Sequence, residues 1–213
     1  MKISVLLPYK ENFSPSYAGA VSLFINDTLK FSKLRKYITV FGYTEFKKKL
    51  NNKYINKKVK KKIFKSQNKE YVDKFIELEK KQKSKIIELH NRPIYLKFLV
   101  NELHNRNYIL YFHNDPLSMS GSKTINERTY LLNNCYRIIF NSNWSKKRFL
   151  QKMKSDVINS EKLLVINQSA KKQKIDFENK EKIITFVGKL NRSKGYDLFG
   201  KAAIEILNNY KDW

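Results

Sequence analysis

The stretch "KIIELHNRPIYLKFLVNELHNRNYILYFHNDP", residues 85–116, carries the clearest indication of the fold. Its two apolar segments, 85–93 and 108–116, each end in His-Asn, one further residue and a proline. The residues between them have the apolar spacing of a helix. A strand, a helix and a second strand in this order are typical of a parallel sheet. Because proline ends each strand, the His-Asn pairs fall at the carboxyl ends, where open α/β sheets bind ligands.

The same alternation continues along the rest of the chain. Further strands are predicted at Lys2–Pro8, 37–43, 61–66, 136–142 and 162–169. Further helices are predicted at Ala20–Phe31, 70–84, Lys123–Asn134 and 144–153. This order predicts an α/β protein with a mostly parallel sheet. The polar segment 170–181 is predicted to be a linker between a first domain, 1–169, and a second segment, 182–213.

The amino-acid composition excludes some classes of function but does not select one. A net charge of +25 on 213 residues favours anionic partners, but the excess of lysine over arginine is also what an AT-rich genome would produce. The single Cys135 excludes an internal disulfide and suits a reducing cytosol. The sequence has no cluster with metal-ligand spacing and no G-x-S-x-G motif, so we expect neither a metal site nor a serine hydrolase.

Near the end of the chain, "KIITFVGKLNRSKGYDLFGKAA", residues 182–203, predicts a strand at Ile183–Val187, a basic loop and a helix from about Tyr196. Gly188 follows the strand, where a glycine lets the backbone approach a phosphate, and the next helix offers its positive end. The basic residues of this loop are Lys189, Arg192 and Lys194. An ordinary strand-to-helix turn is the alternative.

The segment "FVGKLNRSKGYDLFGKAA" resembles a segment of family 4 glycosyltransferases, which have the GT-B fold. The resemblance implies that Lys189 and Lys194 contact the diphosphate of a nucleotide-sugar donor, with Gly188 and Gly195 beside them. The family usually has arginine at the first basic position. Lysine lacks the bidentate fork of arginine, and Arg192 is a candidate to compensate.

Other segments resemble the same family. "MKISVLLP" followed by "YAGAVS" is similar to its first strand–helix unit, which implies that Gly19 lies at the donor phosphate, although Ala20 replaces a common second glycine. "IIELHNRP", "LYFHND" and "RIIFNSNWSKKRFL" resemble successive strands of its acceptor-side domain, which implies that His113 lies near the reacting sugar. The acceptor-side candidates are His90, Asn91, Asn114 and Asp115. "HNDP" is also common turn chemistry, and His90 could be structural. His104 is expected in a helix, with a surface or packing role.

The resemblance implies an acceptor-side Rossmann-like domain with helices on both sheet faces, followed by the first strand–helix unit of a second Rossmann-like domain. On this basis the chain is expected to be an incomplete fragment with little activity alone. The implied reaction moves a sugar from a nucleotide-sugar donor to a saccharide or lipid-linked acceptor in cell-surface polysaccharide or lipopolysaccharide synthesis. It is expected to retain anomeric configuration and to need no metal and no cofactor, the nucleotide sugar being a substrate.

The most basic run, residues 45–69, has apolar residues about four apart. They are Phe46, Leu50, Tyr54, Val59 and Ile63. A cationic helix with this stripe could bind an anionic membrane surface, which would place a cytoplasmic protein on the inner face of the cell membrane. A lysine-rich helix or loop packed on the domain is the alternative. A basic α/β protein that binds RNA or other polyanions is the competing class, but no RNA-binding signature is visible, so we expect no specific nucleic acid partner.

Overall fold

The computed structural model describes residues 1–59, 66–154, 157, 160–169, 178 and 181–212. The strands are β1 Ile3–Leu6, β2 Ile38–Gly42, β3 Tyr54–Asn56, β4 Ile86–His90, β5 Asn107–Phe112, β6 Arg137–Phe140 and β7 Leu163–Val165. The α-helices are α1 Ala20–Phe31, α2 Gln67–Gln82, α3 Tyr95–Val100, α4 Ile125–Asn134, α5 Asn143–Leu150 and α6 Tyr196–Asn209. Short 3-10 helices lie at Arg35–Tyr37, Pro116–Ser118 and Arg192–Lys194.

The seven strands form one sheet in the order β3-β2-β1-β4-β5-β6-β7, and every neighbouring pair is parallel. The predicted α/β, Rossmann-like fold class is confirmed. The strand order reverses direction between β1 and β4, and at such a point the connections leave a crevice beyond the carboxyl ends of the strands. The candidate site therefore belongs at the ends of β1, β2, β4 and β5.

Helices cover both faces of the sheet, as predicted. Side chains of α1, including Val21 and Ile25, pack on one face against Val5 of β1. Side chains of α2, α3, α4 and α5 pack on the other face, where Phe75 of α2 lies against Phe41 of β2 with their ring centroids 5.1 Å apart. Strand residues alternate between these two cores, because successive side chains of a strand point to opposite faces.

Of the two alternatives for the basic run, the described residues 45–59 show the loop packed on the domain and not the cationic helix. These residues form a loop and the short strand β3, which pairs with β2. The Tyr54 ring is buried and stacks on Phe13 with the centroids 4.8 Å apart. The spacing of four residues therefore reflects separate contacts of a loop and a strand with the domain. The strand predicted at 61–66 lies outside the described residues except for Ser66, whose side chain caps α2.

Helix α3 is shorter than predicted and ends at Val100, so the helical placement of His104 is also wrong. In the loop after the helix, the Leu103 carbonyl accepts a hydrogen bond from the Tyr108 hydroxyl at 2.8 Å. Asn105 then adopts a left-handed backbone, with φ of +59°. His104 is exposed in this loop.

The chain divides into two compact units, 1–169 and 170–213. In the second unit α6 forms, but the strand predicted at Ile183–Val187 does not. A strand needs a neighbour for its backbone hydrogen bonds, and no strand lies beside this segment among the described residues of the unit. Val187 is accordingly 92% exposed. Of the predicted linker 170–181, only residues 178 and 181 are described. Among the described residues, no helix combines the length and apolar character needed to cross a bilayer.

Candidate functional site

Two histidines meet at the carboxyl edge of the sheet. His90 is the last residue of β4 and pairs in register with Tyr111, while His113 follows β5. The strand register therefore brings the two imidazoles to the same face, with His90 Nδ1 2.9 Å from His113 Nε2. His90 is 1% exposed, whereas His113 is only partly buried and reaches the surface of the edge.

The backbone of His113 is held by amide side chains from the two neighbouring strands. Asn91, in a left-handed conformation after β4, accepts a hydrogen bond from the His113 N–H at 2.8 Å. Asn141, which follows β6, donates from Nδ2 to the His113 carbonyl at 2.9 Å. Sequence reasoning missed Asn141, although it follows an apolar strand much as Asn91 and Asn114 do. Three strand ends thus fix the position of His113.

Aromatic rings enclose the histidine pair. Tyr111 of β5 stacks on His90 with the ring centroids 4.7 Å apart and 14° between the planes. Phe24 of α1 meets His113 edge-on at 5.1 Å. This burial, with the neighbouring His90, lowers the pKa of His113 from 6.5 to about 3. The imidazole is therefore neutral at physiological pH.

The hydrogen-bond network assigns the tautomers of the pair. Gln168 is assigned with its Nε2 2.6 Å from His113 Nδ1; in this orientation the amide nitrogen donates, so His113 Nδ1 accepts. The His113 proton is then on Nε2 and is donated to His90 Nδ1. The remaining proton of His90 is on Nε2, which is buried without a hydrogen-bond partner among the described residues and lies 3.8 Å from Glu88 Oε2.

The other acceptor-side candidates lie in the turn after β5. Asn114 is exposed. Asp115 caps the following 3-10 helix through Leu117 N at 3.0 Å, and its Oδ2 lies 3.0 Å from Arg148. Burial raises the pKa of Asp115, but the hydrogen bonds from Arg148 and from Leu117 N outweigh it, so this pKa is below its usual value. The Asp115 carboxylate thus stabilises the turn in this structure.

Gly19 lies at the amino end of α1, where the resemblance implies a donor phosphate. In the structure that end is occupied by the carboxylate of Glu11, whose Oε1 accepts a hydrogen bond from Ser22 N at 3.1 Å. A Cβ on Gly19 would lie 1.9 Å from the same oxygen. Sequence reasoning missed Glu11, an isolated acidic residue in the loop before the helix. A carboxylate of the chain itself therefore holds the anion position.

In the second unit, the basic loop has a defined local structure. Asn191 Oδ1 accepts a hydrogen bond from Lys194 N at 3.1 Å, which caps the 3-10 helix. Gly195 then takes a left-handed backbone, with φ of +74°, and α6 begins without a side-chain cap. The side chains of Lys189, Arg192 and Lys194 are exposed. The loop thus presents three cations at the start of a helix that has no side-chain cap and carries Asp197 in its first turn.

No protein-family model and no curated protein matches the sequence. Solved structures do match. The structure of HepE from Anabaena in complex with UDP and glucose has a TM-score of 0.54 and 15% identity, over 80% of this chain and 45% of that one. HepE in complex with UDP-glucose has a TM-score of 0.53 and 13% identity, over 80% of this chain and 44% of that one. The likeness shows the fold. The chain spans less than half the length of these HepE chains, and membership of family 4 stays a prediction.

Proposed function

We propose that the protein acts in glycosyl transfer from a nucleotide-sugar donor. The observation that carries this proposal is the likeness of its fold to HepE, a protein solved with UDP and with UDP-glucose. A second support is the placement of the His90–His113 pair at the carboxyl edge, beside the reversal of strand order where such sheets bind ligands.

In this proposal His113 positions the reacting sugar. Its Nε2 is engaged with His90, so Nδ1 is the atom available to a ligand. Gln168, the present partner of Nδ1, is an exposed side chain, and a sugar hydroxyl can replace its amide as the donor. His90 acts as a positioning residue, because its Nδ1 keeps the proton of His113 on Nε2 and leaves Nδ1 as an acceptor.

The leaving nucleoside diphosphate develops negative charge, which cations and helix amino ends can stabilise. By the resemblance to family 4, Lys189, Arg192 and Lys194 at the start of α6 are the candidates for this role. The resemblance to family 4 is the basis for further proposing retention of configuration, independence of metal, and a saccharide or lipid-linked acceptor in cell-surface polysaccharide synthesis. The same resemblance and the basic run 45–69 are the basis for proposing a cytoplasmic protein at the membrane surface.

Calorimetric titration of the chain with UDP-glucose, and separately with GDP-mannose, tests the donor class. We expect saturable binding of one of them, and a loss of roughly tenfold or more in affinity for Lys194→Ala, since a hydrogen bond to a charged group contributes about 1.5–3 kcal/mol. Lys201→Ala, an exposed lysine within α6, is the matched control and should bind like wild type. Absence of saturable binding with both nucleotide sugars would contradict the proposal, and unchanged affinity in Lys194→Ala would remove Lys194 from it.

A further inference from the structure

A cleft of about 480 Å³ lies at the same edge of the sheet, beyond the ends of β1 and β2. It is lined by Lys10, Asn12, Tyr43, Thr44, Glu45 and Phe46. Its volume falls within the range of small-molecule sites. We propose that this cleft binds a pyranose unit of a saccharide acceptor, an inference that rests on the proposed function.

The two aromatic side chains that line the cleft each stack on a neighbouring aromatic ring, which fixes their orientation. Tyr43 stacks on Tyr9 with centroids 5.7 Å apart and 16° between the planes, and Phe46 stacks on Tyr17 at 6.3 Å and 22°. Phe46 is 37% exposed and Tyr17 66%. The C–H groups on one face of a pyranose pack against aromatic rings. Because the rings are already held by their partners, binding costs them little rotamer freedom.

Polar groups between the rings are also held in place. The Tyr43 hydroxyl donates to Glu45 Oε1 at 2.8 Å, and the Thr44 hydroxyl donates to Asn12 Oδ1 at 2.9 Å. Carboxylate, amide and ammonium groups are suitable partners for sugar hydroxyls. An acyl or prenyl chain in the cleft would remove these groups from water without replacing their hydrogen bonds, which is unfavourable. The lining therefore favours a sugar ring over a lipid chain.

The loop that follows β1 has an uncommon backbone conformation where it borders the cleft. Lys10 has a φ of +65°, a left-handed conformation that is uncommon for a residue other than glycine. Its ammonium lies 5.6 Å from the centroid of the Tyr9 ring.

The cleft lies close enough to the His90–His113 pair for one saccharide to reach both. It borders the ends of β2 and β1, and the pair borders the ends of β4 and β5, in the strand order β2-β1-β4-β5. Adjacent strands are about 4.8 Å apart, so the two places are separated by about two spacings, or roughly 10 Å. A saccharide whose reacting end lies at His113 can therefore extend its next unit into the cleft.

Titration of the ¹⁵N-labelled chain with methyl α-D-glucopyranoside, methyl α-D-mannopyranoside and methyl β-D-galactopyranoside tests the inference. We expect saturable shifts of the Thr44 and Glu45 amides with at least one of them. Phe46→Ala should weaken that binding about fivefold, since an aromatic contact contributes on the order of 1 kcal/mol. Phe31→Ala is the matched control, because Phe31 is 68% exposed at the end of α1, outside the cleft lining.

The outcomes separate this inference from the proposed function. If no glycoside shifts these amides, or if Phe46→Ala and Phe31→Ala bind alike, the cleft is not a sugar site. Should Phe46→Ala lose its dispersed spectrum, Tyr43→Phe replaces it, since it keeps the ring and removes the hydroxyl bonded to Glu45. It should weaken glycoside binding, and unchanged binding would overturn the inference. Shifts of the same amides by UDP-glucose but by none of the glycosides would assign the cleft to the donor and overturn the inference while supporting the proposed function.

Discussion

The neutral state of His113 predicts an acid-dependent loss of stability. The pKa of His113 falls from 6.5 in the unfolded chain to about 3 in the folded chain. Between pH 6.5 and pH 3, therefore, the unfolded chain binds a proton at His113 and the folded chain does not. The resulting stability is present above the unfolded pKa and declines as the pH falls from 6.5 toward 3. At pH 5, which lies 1.5 units below 6.5, the loss is about 2 kcal/mol at 1.36 kcal/mol per unit.

Urea unfolding followed by circular dichroism near pH 7.5 and near pH 5 measures this loss. We expect the free energy of unfolding of wild type to fall by about 2 kcal/mol more than that of His113→Asn over this interval. His104→Asn is the matched control, since His104 is exposed in a loop, and it should follow wild type. Equal pH dependence in wild type and His113→Asn would refute the buried, neutral assignment of His113 and the tautomer scheme built on it.

Three further predictions concern packing, reactivity and surface charge. Gly121→Ala should destabilise the protein by more than about 2 kcal/mol, because Gly121 has a φ of +92° and a Cβ there would lie 2.5 Å from Ile94 N. Gly200 lies within α6, and a Cβ added there would have no other atom within 4 Å, so Gly200→Ala should instead stabilise the helix by about 1 kcal/mol. Thermal unfolding of the two variants and of wild type measures both effects. Cys135 should react with Ellman's reagent only after denaturation, because burial raises the pKa of its thiol to about 12. The chain should bind anionic vesicles through the run 45–69, so that it sediments with them at low salt and stays in the supernatant at high salt. If it does not sediment with the vesicles at low salt, the membrane proposal is wrong.

The strands and helices that could be predicted are those whose pattern of apolar and polar residues fits only one type of secondary structure. β1, β2, β4, β5 and β6 are short apolar runs bounded by polar or proline residues, and α1 begins and ends at the predicted residues. Such segments remain recognisable because their burial is continuous. The strand β3 escaped prediction because its three residues lie in a lysine-rich segment whose spacing equally fits a helix.

The sequence predicts where the candidate site lies on the sheet, but it does not predict the contacts between the side chains of the site. His90 and His113 were expected at the carboxyl edge, because each follows an apolar strand. The bond between their rings depends on the register of β4 against β5, which no local pattern specifies. Glu11 escaped prediction for a similar reason, since the fold of its loop decides that its carboxylate reaches the amino end of α1.

The central claim is that the edge bearing His113 receives the sugar of a nucleotide-sugar donor. Histidine-selective ¹⁵N NMR of the chain, titrated in turn with UDP-glucose and with GDP-mannose, tests it most directly, with His104 as an internal control. We expect His113 Nδ1 to shift saturably as a sugar hydroxyl replaces Gln168, while the His104 signals stay unchanged. If His113 is unaffected by both nucleotide sugars at saturating concentration, or if both histidines drift together without saturation, the account of this site is contradicted.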